Sequence, residues 1–581
     1  MTRSSLLLSA ALSAALSSAA AQPSPVNALA DRYWRWSLAE NPVSATYAGV
    51  PGFDDRLGSV SPEALARQAD SLRAFIAELG RIDAASLGGQ ERVTAEILAL
   101  RWRDDLDELE RRTIRIPVNA EGGFHTGIAG IPKVTPARTV EDLERYARRL
   151  QQVPRYFREH IAWMRQGLAD GYVPPRIILE GMETTMQLVT PDPEASIFWE
   201  PVTRLPRTVP EAERTRVRQL VARAIADSVS LAYGQLYRFF TEEYRPRTRA
   251  TLAARLLPDG ESYYRQQVRH FTTLPLEPDS VHAIGLSEVA RIRAEMDQVR
   301  AKAGFRGTHA QFLRFLRTSP RFYPKTADEL LMRARDIAKR VDWALPSMFG
   351  KLPRQPYGVV PVPAHLAPKY TAGRYSGAPI SGTKAGEYWV NTTKLDSRTL
   401  YTLEALTLHE AAPGHHLQTA LAQELEGIPE FRRRGYFSAF GEGWGLYSER
   451  LGLEMGFYRD PYSDFGRLTY EMWRACRLVV DTGLHWKGWS RQQAIDYMAG
   501  NTALALHEVT TEVDRYIGWP GQALAYKIGE LEIRALRADA ERRLGARFDL
   551  RAFHDVVLSS GSVPLPTLRR LVTDWIVARG G

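Results

Sequence analysis

The sequence predicts a mainly α-helical protein with a small β-sheet placed shortly before a histidine-rich segment. Over long stretches, apolar residues recur every three or four positions, which is the period of an amphipathic helix. Strand patterns are few, and breaks rich in Gly and Pro lie near 255–282 and 346–382. With 581 residues, 44% hydrophobic and 25% charged, the chain has the composition of a globular protein and is long enough for a large helical core.

Three stretches have the periodicity of long helices, each with marked ends. The first begins at Val140 and stops at Gly171, and the second covers 212–244. The third begins after Pro520 and ends at Gly545, as expected when Pro precedes a helix and Gly follows it. Long helices are therefore expected in both halves of the chain.

The clearest strand patterns are "RIILEGM" at 176–182 and "GEYWVNTT" at 386–393. Beyond residue 21 we expect one large helical unit, because the sequence contains no internal repeat and no low-complexity tract. Its mainly helical N-terminal part is expected at 22–345. The remainder, 346–581, is expected to carry the functional site.

The first 21 residues predict a signal peptide. Arg3 precedes a short apolar run, and small residues lead to Ala21, after which cleavage is expected. A buried N-terminal helix is the alternative. The run is too short to span a bilayer, and no later stretch reaches the roughly 20 apolar residues that a span needs. No Cys follows the small residues, so we expect a periplasmic or secreted protein without membrane insertion or a lipid at that point.

The charge pattern and the cysteine count exclude several classes of function. The net charge is +9, but the basic residues alternate with acidic ones, so nucleic-acid binding is not expected. Cys476 is the only cysteine and lies in an apolar helical pattern, which predicts that it is buried. A single cysteine makes no internal disulfide and excludes a zinc site built from thiolates.

The segment "LTLHEAAPGHHLQ", which starts at Leu406, contains the residues of a candidate metal site. His409 and Glu410 lie near the end of a helical pattern at 397–412. Two imidazoles and a carboxylate are a usual ligand set of catalytic zinc, which keeps one position open for water. Glu410 neighbours a candidate ligand without being one, so it is the natural general base.

The second ligand is the less certain part of this pattern. On an ideal helix His415 is about 240° from His409, whereas His416 is only about 20° off the same direction. However, Pro413 lacks an N–H and clashes with the preceding turn, and Gly414 adopts backbone angles that other residues avoid. We expect a bulge that brings His415 into the ligand position, with His416 as the alternative. The remaining possibility is a set of ordinary polar residues at a helix end.

A third ligand is expected downstream, on the helix that begins with "FGEGWGLYSERLGLEM". Glu442 stands between two glycines near the start of this helix and is the candidate ligand. Glu449 follows seven residues later on the same face. It is positioned to orient a ligating histidine, and the alternative is a surface ion pair with Arg450 or Arg459.

Taken together, these motifs resemble those of the bacterial family DUF885. The resemblance runs from about residue 30 to the C-terminus and rests on "HEAAPGHHLQ", "GEGWGLYSE", "RYIGWPGQALAYKIG" and "FDLRAFHDVVLSSGSVPLPTLRRLV". It implies a zincin-like metallopeptidase fold with the variant motif His-Glu-x-x-Pro-Gly-His. "GEGWGLYSE" is also similar to the "NEGFxxYxE" of zinc aminopeptidases, in which the first Glu binds zinc, and this implies the same role for Glu442.

The resemblance implies further roles near the metal. The strand at 386–393 would be an edge strand that holds an extended substrate by main-chain hydrogen bonds. Tyr526 would donate a hydrogen bond to the oxyanion, with His485 as the second candidate. Arg515 and Tyr516 would meet a substrate carboxylate, and an internal ion pair is the alternative for these two residues.

The sequence thus predicts an exported zinc-dependent peptidase, and the fold that the resemblance implies suggests that it acts on short peptides. Zn²⁺ is expected on His409, His415 and Glu442, with Glu410 taking a proton from the attacking water. One alternative is a zinc hydrolase of a non-peptide amide or ester, because the chemistry of the motif is the same. The other is a non-catalytic periplasmic binding protein with a remnant metal site, although an intact Glu410 favours an enzyme.

Overall fold

The computed structural model of the chain describes residues 24–188, 190, 192–364, 367, 370–378 and 384–581. The predicted signal peptide at 1–21 lies outside these residues. In the ranges described, no helix has the length and apolar character that crossing a membrane requires. In these ranges the chain is mainly helical, as the sequence predicts, and has two small sheets where the sequence predicts one.

The first part of the chain is helical except for a short hairpin formed by β1 (Val118–Asn119) and β2 (Gly122–Gly123). Its helices are α1 (Pro25–Glu40), α2 (Pro42–Tyr47), α3 (Pro62–Leu79), α4 (Gly89–Arg111), α5 (Phe124–Val134), α6 (Val140–Leu150), α7 (Val153–Asp170), α8 (Glu200–Thr203), α9 (Glu211–Ala224), α10 (Leu231–Arg238), α11 (Arg245–Arg247), α12 (Gly260–Thr272), α13 (Pro278–Lys302), α14 (His309–Thr318) and α15 (Ala327–Met348).

The second part begins with a three-stranded sheet and continues as helices. The strands are β3 (Tyr357–Pro361), β4 (Gly373–Ser376) and β5 (Gly386–Val390). The helices are α16 (Leu403–Glu410), α17 (His415–Gln423), α18 (Glu430–Arg433), α19 (Ser438–Leu451), α20 (Pro461–Thr482), α21 (Arg491–Asn501), α22 (Leu506–Gly518), α23 (Ala525–Leu544), α24 (Leu550–Leu558) and α25 (Leu565–Ala578).

The long helices follow the sequence pattern with local departures. The stretch that begins at Val140 is two helices, α6 and α7, because Pro154 in the first turn of α7 has no N–H to continue a helix. The second stretch is helical throughout but widens to π-helix at Ile225–Ser230 and Phe239–Tyr244. The third is α23, and it ends before Gly545 as predicted.

One of the two predicted strands is wrong and the other is confirmed. The segment from Arg176 to Leu179 is a 3₁₀ turn in which Ile178 and Leu179 are buried, and a short apolar run of this kind does not distinguish a strand from a helical turn. The strand predicted at 386–393 is β5, whose burial alternates along the chain. The sheet order is β3-β5-β4, with β3 parallel to β5 and β4 antiparallel to it.

Two helix pairs form the centre of the second part. Helix α20 packs along α13, and α19 packs along α23. Every residue of α20 from Phe465 to Thr482 is buried, including Cys476, as predicted for the cysteine. The hydrophobic core is one cluster that runs from Leu29 to Ile576, so side chains from both parts of the chain contribute to it. This packing holds α16, α17 and α19 against one another.

Candidate metal centre

The histidine-rich segment is a junction between two helices. Helix α16 ends at Glu410, and α17 begins at His415. A side chain at Gly414 would overlap the carbonyl oxygen of His409, so only glycine permits this close approach of the backbone. The predicted bulge is therefore a complete helix break. It turns the rings of His409 and His415 toward each other, with centroids 4.7 Å apart and planes at 88°.

Three side chains converge at this junction. Oε2 of Glu442, on α19, lies 3.5 Å from Nε2 of His409 and 3.4 Å from Nε2 of His415. One donor atom from each residue lies within 4.8 Å of the other two, so the three residues could hold a metal ion. The structure thus brings together the three residues that the sequence selected as ligands.

The alternative ligand, His416, faces a different part of the molecule. Its Nδ1 lies 3.2 Å from the hydroxyl of Tyr375, and its ring packs against Tyr357. Because the chain restarts as a helix at His415, the next residue points about 100° away from it. Of the two histidines left open by the sequence, only His415 reaches the candidate site.

Glu449 fixes the orientation of His409. Nδ1 of His409 donates a hydrogen bond of 2.8 Å to Oε1 of Glu449, which is buried two turns after Glu442 on α19. This bond leaves Nε2 to face Glu442 and His415. Burial lowers the pKa of His409, but the hydrogen bonds to Glu442 and Glu449 outweigh burial and raise it to about 9. The alternative, a surface ion pair of Glu449 with Arg450 or Arg459, is wrong, because Glu449 is buried and binds His409.

Glycines in "GEGWG" allow the close packing of α19. A Cβ at Gly445 would lie 2.7 Å from Cε1 of His409, so this position must stay bare for the imidazole to lie against the helix. Gly443 meets Gly529 of α23 backbone to backbone. These two contacts bring α19 close to both the histidine and the helix that carries Tyr526. The repeated glycines of the sequence are the signal of this close packing.

Glu410 interacts with an edge strand that the sequence did not reveal. The backbone N–H of Tyr375, in β4, donates a hydrogen bond of 2.7 Å to Oε2 of Glu410. The strand expected at this edge, β5, is instead central in its sheet and paired on both sides. That expectation is corrected: β4 is the edge strand beside Glu410. Its four residues "GRYS" do not have the alternation that identifies a strand.

Tyr526 lies near the start of α23, on the side of Glu442. Burial raises the pKa of its hydroxyl, and the charge of Glu442 raises it further, whereas Arg477 and Arg515 lower it. The guanidinium of Arg477 lies 4.1 Å from the centre of the Tyr526 ring. Tyr526 is therefore close enough to the three-residue cluster to interact with the charge of Glu442.

His485 does not reach the cluster. Its ring is fully buried, its Nδ1 accepts the backbone N–H of Ala254 at 3.2 Å, and its Nε2 donates to the carbonyl oxygen of Tyr516 at 2.9 Å. With both nitrogens bound to the backbone, the ring has no hydrogen left for a substrate. This is a correction to the role expected for His485, which here joins two segments of the core.

Tyr516 and Arg515 are also engaged inside the protein. The buried hydroxyl of Tyr516 accepts hydrogen bonds from Trp473 at 2.9 Å and from Arg477 at 2.8 Å. Arg515 bonds to Glu512 at 3.0 Å and to Gln522 at 2.6 Å. The structure therefore favours the internal ion pair over contact with a substrate carboxylate, which corrects the substrate-binding roles expected for these two residues.

Two further residues of the site escaped the sequence analysis. Tyr436 precedes α19, is half exposed, and lies with its ring against Gly441 and its hydroxyl beside the carboxylate of Glu442. Arg374 lies in β4, next to the residue that binds Glu410. Neither belongs to a recognisable motif, because both come from loops or short strands that only the fold brings to the site.

The fold and the site define a mainly helical protein with a candidate three-residue metal centre. The chain belongs to the DUF885 family, described as "Bacterial protein of unknown function (DUF885)", whose model matches residues 42–572. A comparison with curated proteins gave no match.

Two solved structures are similar to this chain along nearly its whole length. One, from Colwellia psychrerythraea, is 29% identical, covers 95% of this chain and 99% of its own, and has a TM-score of 0.88. The other, from Shewanella oneidensis, is 19% identical, covers 94% and 99%, and has a TM-score of 0.71, which shows a shared fold alone. Each is described as a "putative lipoprotein", the second as one "of unknown function".

Proposed function

We propose that this protein is an exported, zincin-like, zinc-dependent peptidase that hydrolyses short peptides. The observation that carries the proposal is the convergence of His409, His415 and Glu442, whose donor atoms lie within 4.8 Å of one another directly beside Glu410. Two imidazole nitrogens and one carboxylate oxygen are a donor set that catalytic zinc uses in hydrolases.

The residues around this cluster fit a zinc ion. The hydrogen bond from His409 Nδ1 to Glu449 is the arrangement that orients a zinc-ligating imidazole, because it leaves Nε2 as the free donor. Three protein ligands leave a further position for a small molecule. A zinc ion held by His409, His415 and Glu442 would supply Lewis acidity toward water and a carbonyl group.

Glu410 is suited to move the proton in this reaction. Its Oε2 accepts the N–H of Tyr375, and this single bond orients the carboxylate. Within the described residues, Oε1 of Glu410 has no hydrogen-bond donor, so it remains available to accept a proton and deliver it to the leaving amine. Tyr526 supplies a hydroxyl for the carbonyl oxygen as that oxygen gains negative charge.

The edge strand supports a peptide over other amides or esters. In an antiparallel pair, successive residues alternate between pointing their N–H and C=O groups toward the partner strand and away from it. Since the N–H of Tyr375 points to Glu410, that edge of β4 faces the candidate site. An extended peptide would pair with this edge through its main chain, an interaction that an ester or an isolated amide lacks.

Export is supported from two sides. The first 21 residues have the pattern of a signal peptide. The similar protein from Colwellia psychrerythraea is described as a "putative lipoprotein", and lipoproteins are a class of exported protein. We therefore place the peptidase outside the cytoplasm, where it would meet peptides of the periplasm or the surroundings of the cell.

A peptide-library digest read by mass spectrometry tests this function. Zinc-loaded wild type is expected to cleave peptides, whereas Glu410→Gln is expected to hold zinc and leave them intact. Equal cleavage by both proteins would end the peptidase proposal, since the activity would come from elsewhere. Turnover of simple esters or amides with no cleavage of any peptide would favour the other zinc hydrolases. A wild type that binds no zinc would favour the binding-protein alternative.

A further inference from the structure

A guanidinium group lies on the edge strand beside the candidate site. Arg374 precedes Tyr375 in β4, and consecutive side chains in a strand point to opposite faces. The side chain of Tyr375 turns to His416, and that of Arg374 lies over the ring of Tyr370, 5.4 Å from its centre. Arg374 is exposed to solvent, so a ligand can reach it.

The surroundings of Arg374 link it to the residues proposed to carry the reaction. Burial of part of its side chain lowers the pKa of Arg374, but Tyr370, Glu121, Glu410 and Tyr526 raise it. Glu410 and Tyr526 are thus both near enough to interact with its charge. Glu121, at the tip of the β1–β2 hairpin, brings the first part of the chain to the same place.

Arg374 has no carboxylate partner of its own. In the described part of the chain, the guanidinium of Arg374 forms no ion pair with an Asp or Glu, and Glu121 and Glu410 act on it only through their charge. By contrast, Arg477 and Arg515, which lie near Tyr526, both form ion pairs with the carboxylate of Glu512. The positive charge of Arg374 is therefore not neutralised by a carboxylate contact and is available to an anionic ligand.

We propose that Arg374 binds the free C-terminal carboxylate of the substrate, so that the enzyme removes residues from the C-terminus of short peptides. The proposal rests on the peptidase function inferred above. A guanidinium presents a planar fork of N–H groups that matches a carboxylate in a bidentate hydrogen bond.

The position of Arg374 suits an exopeptidase. Arg374 directly precedes Tyr375, whose N–H binds Glu410, so a carboxylate bound by Arg374 would place the end of a peptide on the strand that contacts the proposed base. In the reaction one water is consumed: the C–N bond breaks, the carbonyl carbon gains a hydroxyl, and the amine of the released residue gains a proton.

A binding experiment tests the carboxylate contact without turnover. A tripeptide with a free C-terminus and the same tripeptide with a C-terminal amide are titrated calorimetrically into Glu410→Gln protein. The free acid is expected to bind about 10- to 100-fold more tightly, the range for a hydrogen bond to a charged group. Adding Arg374→Gln should abolish this preference, and Arg374→Lys should keep part of it.

Arg321→Gln is the matched control. Arg321 is also exposed, lies 4.4 Å from the centre of the Tyr462 ring, and has no ion pair among the residues described. Its replacement removes the same charge from a different surface and should leave the preference for the free acid unchanged. An equal loss in both variants would mean that net charge alone causes the preference, and the assignment to Arg374 would fall.

A digest of the same peptides separates this proposal from the peptidase proposal. Wild type is expected to release the last residue of the free acid and to leave the amide intact. If both peptides are cleaved alike, or if cleavage follows an internal Glu or Asp whatever the C-terminus, the peptidase stands and the C-terminal role of Arg374 is wrong. If the free acid binds through Arg374 but neither peptide is cleaved, the carboxylate contact stands and the peptidase proposal is wrong.

Discussion

The backbone N–H of Tyr375 donates a hydrogen bond of 2.7 Å to Oε2 of Glu410. Through this bond the edge strand β4 orients the carboxylate that follows the first candidate ligand, His409. The hydroxyl of Tyr375 also lies 3.2 Å from Nδ1 of His416. One strand residue therefore contacts both sides of the junction between α16 and α17, and the position of Glu410 depends on the sheet as much as on its own helix.

Metal binding is the most direct prediction. The wild type is expected to bind one zinc ion per chain. His409→Gln, His415→Gln and Glu442→Gln should each weaken zinc binding by more than about 100-fold, which exceeds the loss typical of a residue that only hydrogen-bonds to a ligand. His416→Gln is the matched control and should keep the metal, because its ring faces Tyr375. Competition with a chromophoric chelator measures the affinities. Equal losses in all four variants would contradict the assignment.

Glu449 should act through His409. Replacing its carboxylate in Glu449→Gln is expected to weaken zinc binding by about 10- to 100-fold, because the imidazole loses its charged partner. Glu454→Gln serves as the control, since Glu454 pairs with Arg537 at the surface. Chelator competition gives both affinities. Unchanged zinc binding in Glu449→Gln would show that the packing of α19 alone orients His409.

Two tyrosines should separate catalysis from stability. Tyr526→Phe removes a hydroxyl at the candidate site and is expected to lower kcat by about 100- to 1000-fold with an unaltered fold. Tyr516→Phe leaves the donors of Trp473 and Arg477 without their acceptor, so it should lower the free energy of unfolding by about 1–3 kcal/mol with kcat retained. Kinetics and urea unfolding measure the two effects. A kcat that falls only in Tyr516→Phe would reverse the two roles.

The helix junction should not tolerate a methyl group. In Gly414→Ala the new Cβ overlaps the carbonyl oxygen of His409, so the backbone must move and the zinc affinity should fall with the stability. Gly234→Ala is the control, because a Cβ there meets nothing within 4 Å inside α10. It is expected to raise the free energy of unfolding by about 0.5–1 kcal/mol. Thermal unfolding and zinc titration test both variants, and full zinc affinity in Gly414→Ala would argue against a rigid junction.

Asp481 should make the stability depend on pH. Burial raises the pKa of its carboxyl from 3.8 to about 7, despite hydrogen bonds from Tyr264 and Gly521. The folded state therefore holds a proton that the unfolded state releases at lower pH, so stability falls as the pH rises through about 7. In Asp481→Asn this loss should disappear. Urea unfolding at pH 5 and pH 8 compares the two proteins, and an identical pH dependence would contradict the assignment.

The sequence predicted much of the site because its spacing is local. His409, Glu410 and His415 belong to one short segment, and Glu449 follows Glu442 by seven residues, which returns to the same helix face. These relations need only helix geometry and the effect of a Pro-Gly pair. The mainly helical fold could be predicted for the same reason, because the spacing of apolar residues reflects which face of each helix is buried.

The parts that the sequence did not predict depend on contacts between distant segments. Strand β4 is four residues long and is defined only by its pairing with β5, so its position beside Glu410 could not be inferred. The sequence allows His485 to bind a substrate, but in the fold the backbone N–H of Ala254, far earlier in the chain, donates a hydrogen bond to its ring. Arg374 could not be predicted either, because it belongs to no motif and only the fold brings it near Glu410.

Helices α19 and α23 touch at Gly443 and Gly529 with no side chain between them. Glu442 adjoins the first glycine, and Tyr526 lies one turn before the second, so main-chain geometry sets the spacing between these two groups. Substitutions among apolar side chains in the surrounding core can then occur without altering that spacing. A single methyl group at either glycine would push the two helices apart. Substitutions in this region should therefore be tolerated in the apolar core but not at these two positions.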